Sequence, residues 1–252
     1  MGDFMITLFE SEDHKCVMFN DLTSGAMVQA NQHVIVDGKE AMVLDPGGHK
    51  VYSLLFPRIS SLVPMDGLKY IFFSHQDPDI IAAANGWLMV TEAMAFLPEL
   101  WMRFIPHFGV DKLVLERITP IPDQGMNVIL NGKPLKLIPA HFLHSPGNFQ
   151  VYDPVSKILF SGDLGASLGN DYTHVTDFDA HTAHMEGFHK RYMTSNKAMK
   201  MWADMVQNLD INMIAPQHGA IFSGKEMVTR FIDWISGLSC GIDLMTSFRV
   251  PE

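Results

Sequence analysis

The stretch Phe72-Phe73-Ser74-His75-Gln76-Asp77-Pro78-Asp79-Ile80 decides how this chain is read. An apolar, β-prone run from Tyr70 to Phe73 stops, and a histidine and two carboxylates follow at two-residue spacing. Side chains alternate along extended backbone, so positions 75, 77 and 79 can share one side. Pro78 fixes its own φ and pushes Asp77 toward an extended shape, which stiffens that spacing. Three such groups at a strand end are costly unless they bind something, and a metal ion is the first candidate. Asp-Pro-Asp is also good turn chemistry, so this stretch alone fits a solvated turn equally well.

The whole chain narrows the choice. With 252 residues it is long enough for one large domain with a real core, or for two small ones. With 47% hydrophobic and 18% charged residues, a folded chain is the default rather than disorder. A formal net charge of −10 argues against nucleic acid and against an anionic membrane surface. Cys16 and Cys240 are far apart and no Cys-x-x-Cys occurs, which excludes zinc-ribbon, rubredoxin-type and thioredoxin-type sites. Two separate reduced thiols are the expectation. Met1 to Met5 lacks the basic and apolar regions of a signal peptide, Ile6 stands where a myristoylation signal wants Ser or Thr, and no apolar run reaches membrane-spanning length. Cytoplasmic residence is therefore expected. The 18 methionines read as adaptable core filler.

Outward from the opening stretch, strand and turn signals recur. His33–Val36 and Ala41–Leu44 around Asp37-Gly38 predict a β-hairpin, ended by Asp45-Pro46-Gly47-Gly48. A helix is expected over Tyr52–Val63, a strand buried on both faces over Leu68–Phe73, and a short helix over Asp79–Ala84. Trp87–Thr91 reads as a strand and Glu92–Phe108 as a helix broken by prolines. Leu113–Ile118 reads as β. Two more hairpins follow: Val128–Leu130 with Leu135–Ile138 around Asn131-Gly132, and Phe149–Tyr152 with Ile158–Phe160 around Asp153-Pro154. One long amphipathic helix is expected over residues 183–207, then a strand over Ile211–Ala215 and a helix over Lys225–Ser236. Hairpins and helices mix throughout, so the expected fold is a single α+β domain over residues 1–252, with two sheets and covering helices.

Four of these strands end in groups that bind metals. Tyr70–Phe73 leads to His75, Asp77 and Asp79; Leu135–Ile138 to His144; Ile158–Phe160 to Asp163; and Ile211–Ala215 to His218. Loops at strand ends over a rigid scaffold are where sites are built. Three histidines and three carboxylates exceed what one four-coordinate zinc uses, so two metals are implied. Asp163 has the oxygens to bridge them. The nitrogen and oxygen donors suit iron or manganese at least as well as zinc.

Taken in order, these residues resemble the metallo-β-lactamase superfamily, and within it the diiron domain of flavodiiron proteins. The resemblance rests on His75-Gln76-Asp77-Pro78-Asp79, Leu143-His144-Ser145-Pro146, Leu159-Phe160-Ser161-Gly162-Asp163 and Ala215-Pro216-Gln217-His218-Gly219. It implies an αββα sandwich with a dinuclear site at one edge of the two sheets. It also implies that His75, Asp77 and His144 hold one iron, Asp79 and His218 the other, and that Asp163 bridges. The hydrolytic branch usually carries a histidine where this chain has Asp77, which favours iron over zinc.

The chain departs from that family at three points. Asp77 replaces the usual glutamate, shorter by one methylene. Ile80 replaces a further histidine and is expected to wall an open position at the second iron. No phosphate-cradling loop of Ser, Thr and Gly follows Lys225–Ser236, so no FMN is expected in this chain. The features together resemble stand-alone oxygen-binding diiron proteins linked to bacterial chemotaxis. That likeness implies an O2 sensor acting with a signalling protein. The alternatives are an O2 or NO reductase served by a separate flavoprotein, and a dinuclear zinc hydrolase acting through a metal-bound hydroxide. Whether the chain is an enzyme stays open at this stage. A homodimer is the default, because such dimers are common. Among the remaining residues, His141 reads as a hydrogen-bonded loop residue and His174, His181, His184 and His189 as mostly surface. Tyr192 and the four tryptophans read as core, and His33 and His49 have no assigned partner.

Overall fold

The computed structural model describes residues 5–20 and 22–251. A hairpin of β1 (Met5–Glu10) and β2 (His14–Phe19) opens the described chain and continues antiparallel into β3 (Gln32–Asp37) and β4 (Glu40–Leu44). After α1 (His49–Leu62) the chain turns parallel, through β5 (Leu68–Phe72), α2 (Pro78–Ile81), α3 (Ala84–Val90), β6 (Met94–Pro98) and β7 (Ile118–Ile121). These seven strands form one sheet in sequence order. The second sheet holds β8 (Met126–Leu130), β9 (Lys133–Pro139), β10 (Phe149–Asp153), β11 (Ile158–Gly162), β12 (Met213–Pro216) and β13 (Phe222–Ser223). Only β11 and β12 pair in parallel there, because α4 (Phe178–Tyr192) and α5 (Asn196–Val206) lie between them in sequence. Helix α6 (Lys225–Gly237) follows β13.

Strand alternation separates three apolar layers. Cys16, Met18, Ile35, Met42 and Phe72 face Leu135, Leu137, Val151 and Phe160 between the sheets. Val17, Val34, Val43 and Ile71 point the other way and pack under α1 to α3. Leu159, Ile214 and Phe222 pack under α4 to α6. The result is the expected four-layer αββα sandwich. Among the described residues, no helix is long and apolar enough to cross a membrane. Cys16 and Cys240 are both free and buried, as expected.

Several local expectations give way to packing. Trp87–Thr91 is not a strand: Ala84, Trp87 and Leu88 fall on one helical face of α3, and Trp87 packs edge-on to Tyr52 of α1. Glu92–Phe108 is not a helix: β6 fills the slot between β5 and β7, and a 3-10 segment, Glu99–Phe108, follows it. Leu113–Ile118 is mostly a 3-10 turn, with only Ile118 in β7. The long helix over 183–207 is two helices, because Ser195 caps α5 by accepting the Ala198 N–H. In β5, Lys69 is exposed and Tyr70 half-buried, while Leu68, Ile71 and Phe72 are buried, so the strand is not enclosed on both faces along its length. The first hairpin turns one residue later than expected, at Gly38-Lys39, since Asp37 pairs with Glu40. The β1–β2 hairpin carries no strong sequence signal and adds two strands to the expected set.

Candidate metal centre

All six expected residues meet at one edge of the sandwich, where β5, β9, β11 and β12 end. His75 and Asp77 follow β5, and Asp79 sits in the first turn of α2, started by Pro78. His144 lies in the loop after β9, Asp163 directly follows β11, and His218 follows β12. Asp163 is the hub. Its Oδ2 lies 2.9 Å from His144 Nε2 and 3.9 Å from His75 Nε2, and its Oδ1 lies 3.5 Å from His218 Nε2. Asp77 Oδ2 stands 3.4 Å from His144 Nε2 and 3.6 Å from His75 Nε2. Asp79 Oδ2 stands 3.7 Å from His218 Nε2. The two oxygens of one carboxylate thus face two groups of donors.

Neighbouring polar groups fix which atom of each residue looks inward. His218 donates Nδ1–H to the Gln29 carbonyl at 2.6 Å, so Nε2 is the free nitrogen. Gln76 donates its amide to Asp77 Oδ1 at 2.9 Å and accepts the Ser145 hydroxyl at 2.7 Å, leaving Asp77 Oδ2 for the site. Ser74 Oγ sits 2.9 Å from His75 Nδ1, and the Ser74 N–H is held by Asp45 Oδ1 at 2.7 Å. Asn31 donates to the Pro216 and Gly219 carbonyls, both at 3.0 Å, and so ties the His218 loop to the start of β3 in the other sheet.

The donor set passes a direct test for metal ions. His75 Nε2 and Asp163 Oδ1 are buried and have no hydrogen-bond partner, which is costly unless something else satisfies them. His75, Asp77 and His144 also offer donor atoms within 4.8 Å of one another. Burial opposes ionisation of Asp163, but His75, His144 and His218 outweigh it and hold its carboxyl well below the usual range. Burial likewise opposes the charge on the histidines, yet the carboxylates they face push His144 up to about 10 and His218 to about 9.

Other residues depart from expectation. Tyr192 is not core: it is 55% exposed, its ring stacks on Phe188, and it stands 5.8 Å from the His144 ring. Ile80 is wholly buried and packs in the cluster under the first sheet's helices. Of the four histidines read as surface, His181 and His189 are buried. His189 accepts the Gly165 N–H at 3.0 Å and donates to the Met185 carbonyl at 2.8 Å, bracing the loop that follows Asp163. Its i−4 bond to Met185 is invisible as a motif, because any helical histidine has that neighbour. His141 behaves as expected, hydrogen-bonded to the Asp123 carbonyl at 2.8 Å. Trp87 and Trp202 are buried, while Trp101 and Trp234 are partly so. His49 is exposed and His33 is buried.

An αββα sandwich with a six-residue histidine and aspartate centre at its sheet edge defines a metallo-β-lactamase-type protein of flavodiiron-like design. The chain belongs to the ODP family beta lactamase, whose family model matches residues 28–219. A solved structure of the chemotaxis sensor ODP, as a peroxy diiron species, is 45% identical over 94% of this chain and 97% of that one, with TM-score 0.85. The apo state of chemotaxis sensor ODP from T. denticola is 44% identical, covers 95% of this chain and 97% of that one, and has the same TM-score of 0.85. The flavo-diiron protein FprA2 of Clostridium acetobutylicum is 21% identical over 85% of this chain and 54% of its own length. An uncharacterized protein of Methanocaldococcus jannaschii is 26% identical over 81% of this chain and 52% of its own. The chain thus spans about half the length of these two curated relatives.

Proposed function

We propose that this chain is a dinuclear non-haem iron protein that binds dioxygen and serves as an oxygen sensor in chemotaxis-type signalling. In this reading His75, Asp77 and His144 would hold one iron, Asp79 and His218 would hold the other, and Asp163 would contribute to both. The observation that carries it is the two-sided placement of Asp163 among five donors, in a chain 45% identical to a chemotaxis sensor that forms a diiron species. When bound, a ferrous pair supplies two electrons and open positions for a diatomic gas. The chain's own residues supply the rest. The Gln29 carbonyl and Ser74 orient two of the imidazoles, Gln76 aims Asp77, and His189 braces the Asp163 loop. Tyr192, exposed and edge-on to the His144 ring, is placed to limit access to that side of the site.

The test mixes the reduced, iron-loaded chain with O2. A long-lived visible absorption reaching one O2 per chain is expected. Sustained NADH-driven consumption of O2 or NO with an added flavoprotein, and no build-up of colour, would replace the sensor reading with a reductase. Metal analysis of protein from native cells should find iron; zinc in its place would favour a hydrolase.

A further inference from the structure

We propose that His14, Cys16 and Asp153 form a second, separate metal-binding site, at the opposite edge of the sandwich, for one borderline divalent cation such as zinc or ferrous iron. His14 and Cys16 are two apart on β2 and so share a face, and Asp153 ends β10 in the other sheet. The three are at most 1% exposed. Asp153 Oδ2 lies 2.7 Å from His14 Nε2 and 3.5 Å from Cys16 Sγ, and that sulfur lies 3.8 Å from His14 Nε2. Zinc bonds of about 2.0 Å to nitrogen or oxygen and about 2.3 Å to sulfur imply donor separations of roughly 3.3–3.6 Å at tetrahedral angles. Both sulfur separations are already close to that. Only the His14–Asp153 contact must open, by roughly half an ångström.

The surroundings are those of a built site. His14 Nδ1 lies 2.6 Å from Asp37 Oδ2, the carboxylate–histidine arrangement that orients metal-binding imidazoles. Asp37 is itself held by Lys133 at 2.6 Å and by the Asn131 amide at 2.8 Å. Val155 N–H bonds Asp153 Oδ1 at 3.0 Å, and the Ser156 hydroxyl bonds Oδ2, placing one more oxygen donor beside the three. These features are independent of the six-residue centre, whose donors are all nitrogen and oxygen.

Charge balance makes the exchange feasible in a buried place. Without metal, burial opposes charge on His14, but carboxylates on both ring nitrogens outweigh it and favour the imidazolium, and burial favours the thiol of Cys16. A divalent cation displaces the proton on His14 Nε2 and the proton on Cys16 Sγ, and both leave to solvent. The proton on His14 Nδ1 stays there, donated to Asp37 Oδ2. Two positive charges enter and two protons depart, so the buried net charge is unchanged and no uncompensated ion is created. Bound there, the ion would join β2 of one sheet to β10 of the other.

The experiment refolds the full chain from denaturant with excess Co(II), so that the buried position fills as the sheets close. A thiolate-to-cobalt charge-transfer band in the near ultraviolet can come only from a cysteine, and the chain has two. The band is expected in the parent chain and in Cys240→Ser, saturating at one metal beyond those of the six-residue centre, and absent in Cys16→Ser. No band in the folded parent chain, or a band that survives in Cys16→Ser, overturns the proposal. The band reports this cluster whatever the other centre binds.

Discussion

His189 accepts the backbone N–H of Gly165 at 3.0 Å, two residues beyond the hub carboxylate Asp163. A buried imidazole on α4 therefore holds the loop that follows Asp163 at the end of β11, in the sheet that α4 covers. Replacing His189 with Ala leaves that N–H without a partner in a buried place. We expect a loss of roughly 2 kcal/mol by urea denaturation and a fall in iron retained after dialysis against a chelator. His189→Gln, which keeps an acceptor, should retain more of both. Equal retention in the alanine and parent proteins would show that the bond does not position Asp163.

Gln76 fixes Asp77 through Oδ1 while Ser145 fixes Gln76. In Gln76→Ala, Asp77 is free to turn, and partners of this kind are worth about 10- to 100-fold in metal affinity. Gln76→Glu puts a second carboxylate against Asp77 and should lower affinity further. Competition with a coloured chelator gives the order directly: parent, then alanine, then glutamate.

Gly219 follows His218 with φ of 78°, and a Cβ there would meet the Ser167 carbonyl oxygen at 2.3 Å. Both the left-handed backbone and the clash resist any side chain. Gly219→Ala should therefore cost roughly 2 kcal/mol or more, with loss of the second metal equivalent before the first. Iron stoichiometry and thermal denaturation of the same preparation check both parts.

His33 is buried against the Phe160 ring with no partner for Nε2, and burial pushes it down to about 3. The unfolded chain takes up this proton near 6.5 and the folded chain only near 3, so stability falls as pH drops across that window. At ~1.4 kcal/mol per pH unit, the contribution lost between pH 7 and pH 5 is about 2 kcal/mol. His33→Leu should remove that share of the acid sensitivity. Denaturation at the two pH values for both proteins gives the difference; an unchanged pH slope would count against a neutral buried His33.

The six site residues were legible because each lies just past a run of strand-forming residues, so local pattern and chemistry coincide. The hairpin at Asn131-Gly132 was legible for a similar reason: its backbone needs positive φ at both positions, and Asn and Gly tolerate it. Trp87 shows the opposite case. Its segment is β-prone by composition, but the surface offered by Tyr52 and Phe56 of α1 selects helical spacing.

By itself, then, the sequence determined the apolar strand runs, their turns and the six candidate metal-ligand side chains that follow them, because these depend on neighbours a few residues away. Only the tertiary structure decided that Asp163 turns one oxygen to each side, that His189 and Gln29 reach the centre, and that Tyr192 stands exposed beside His144. It also decided that His14 and Asp153 meet across the two sheets, at 2.7 Å. Such relationships join residues distant in the chain. They are set by sheet register and layer packing, to which no local spacing in the sequence is tied.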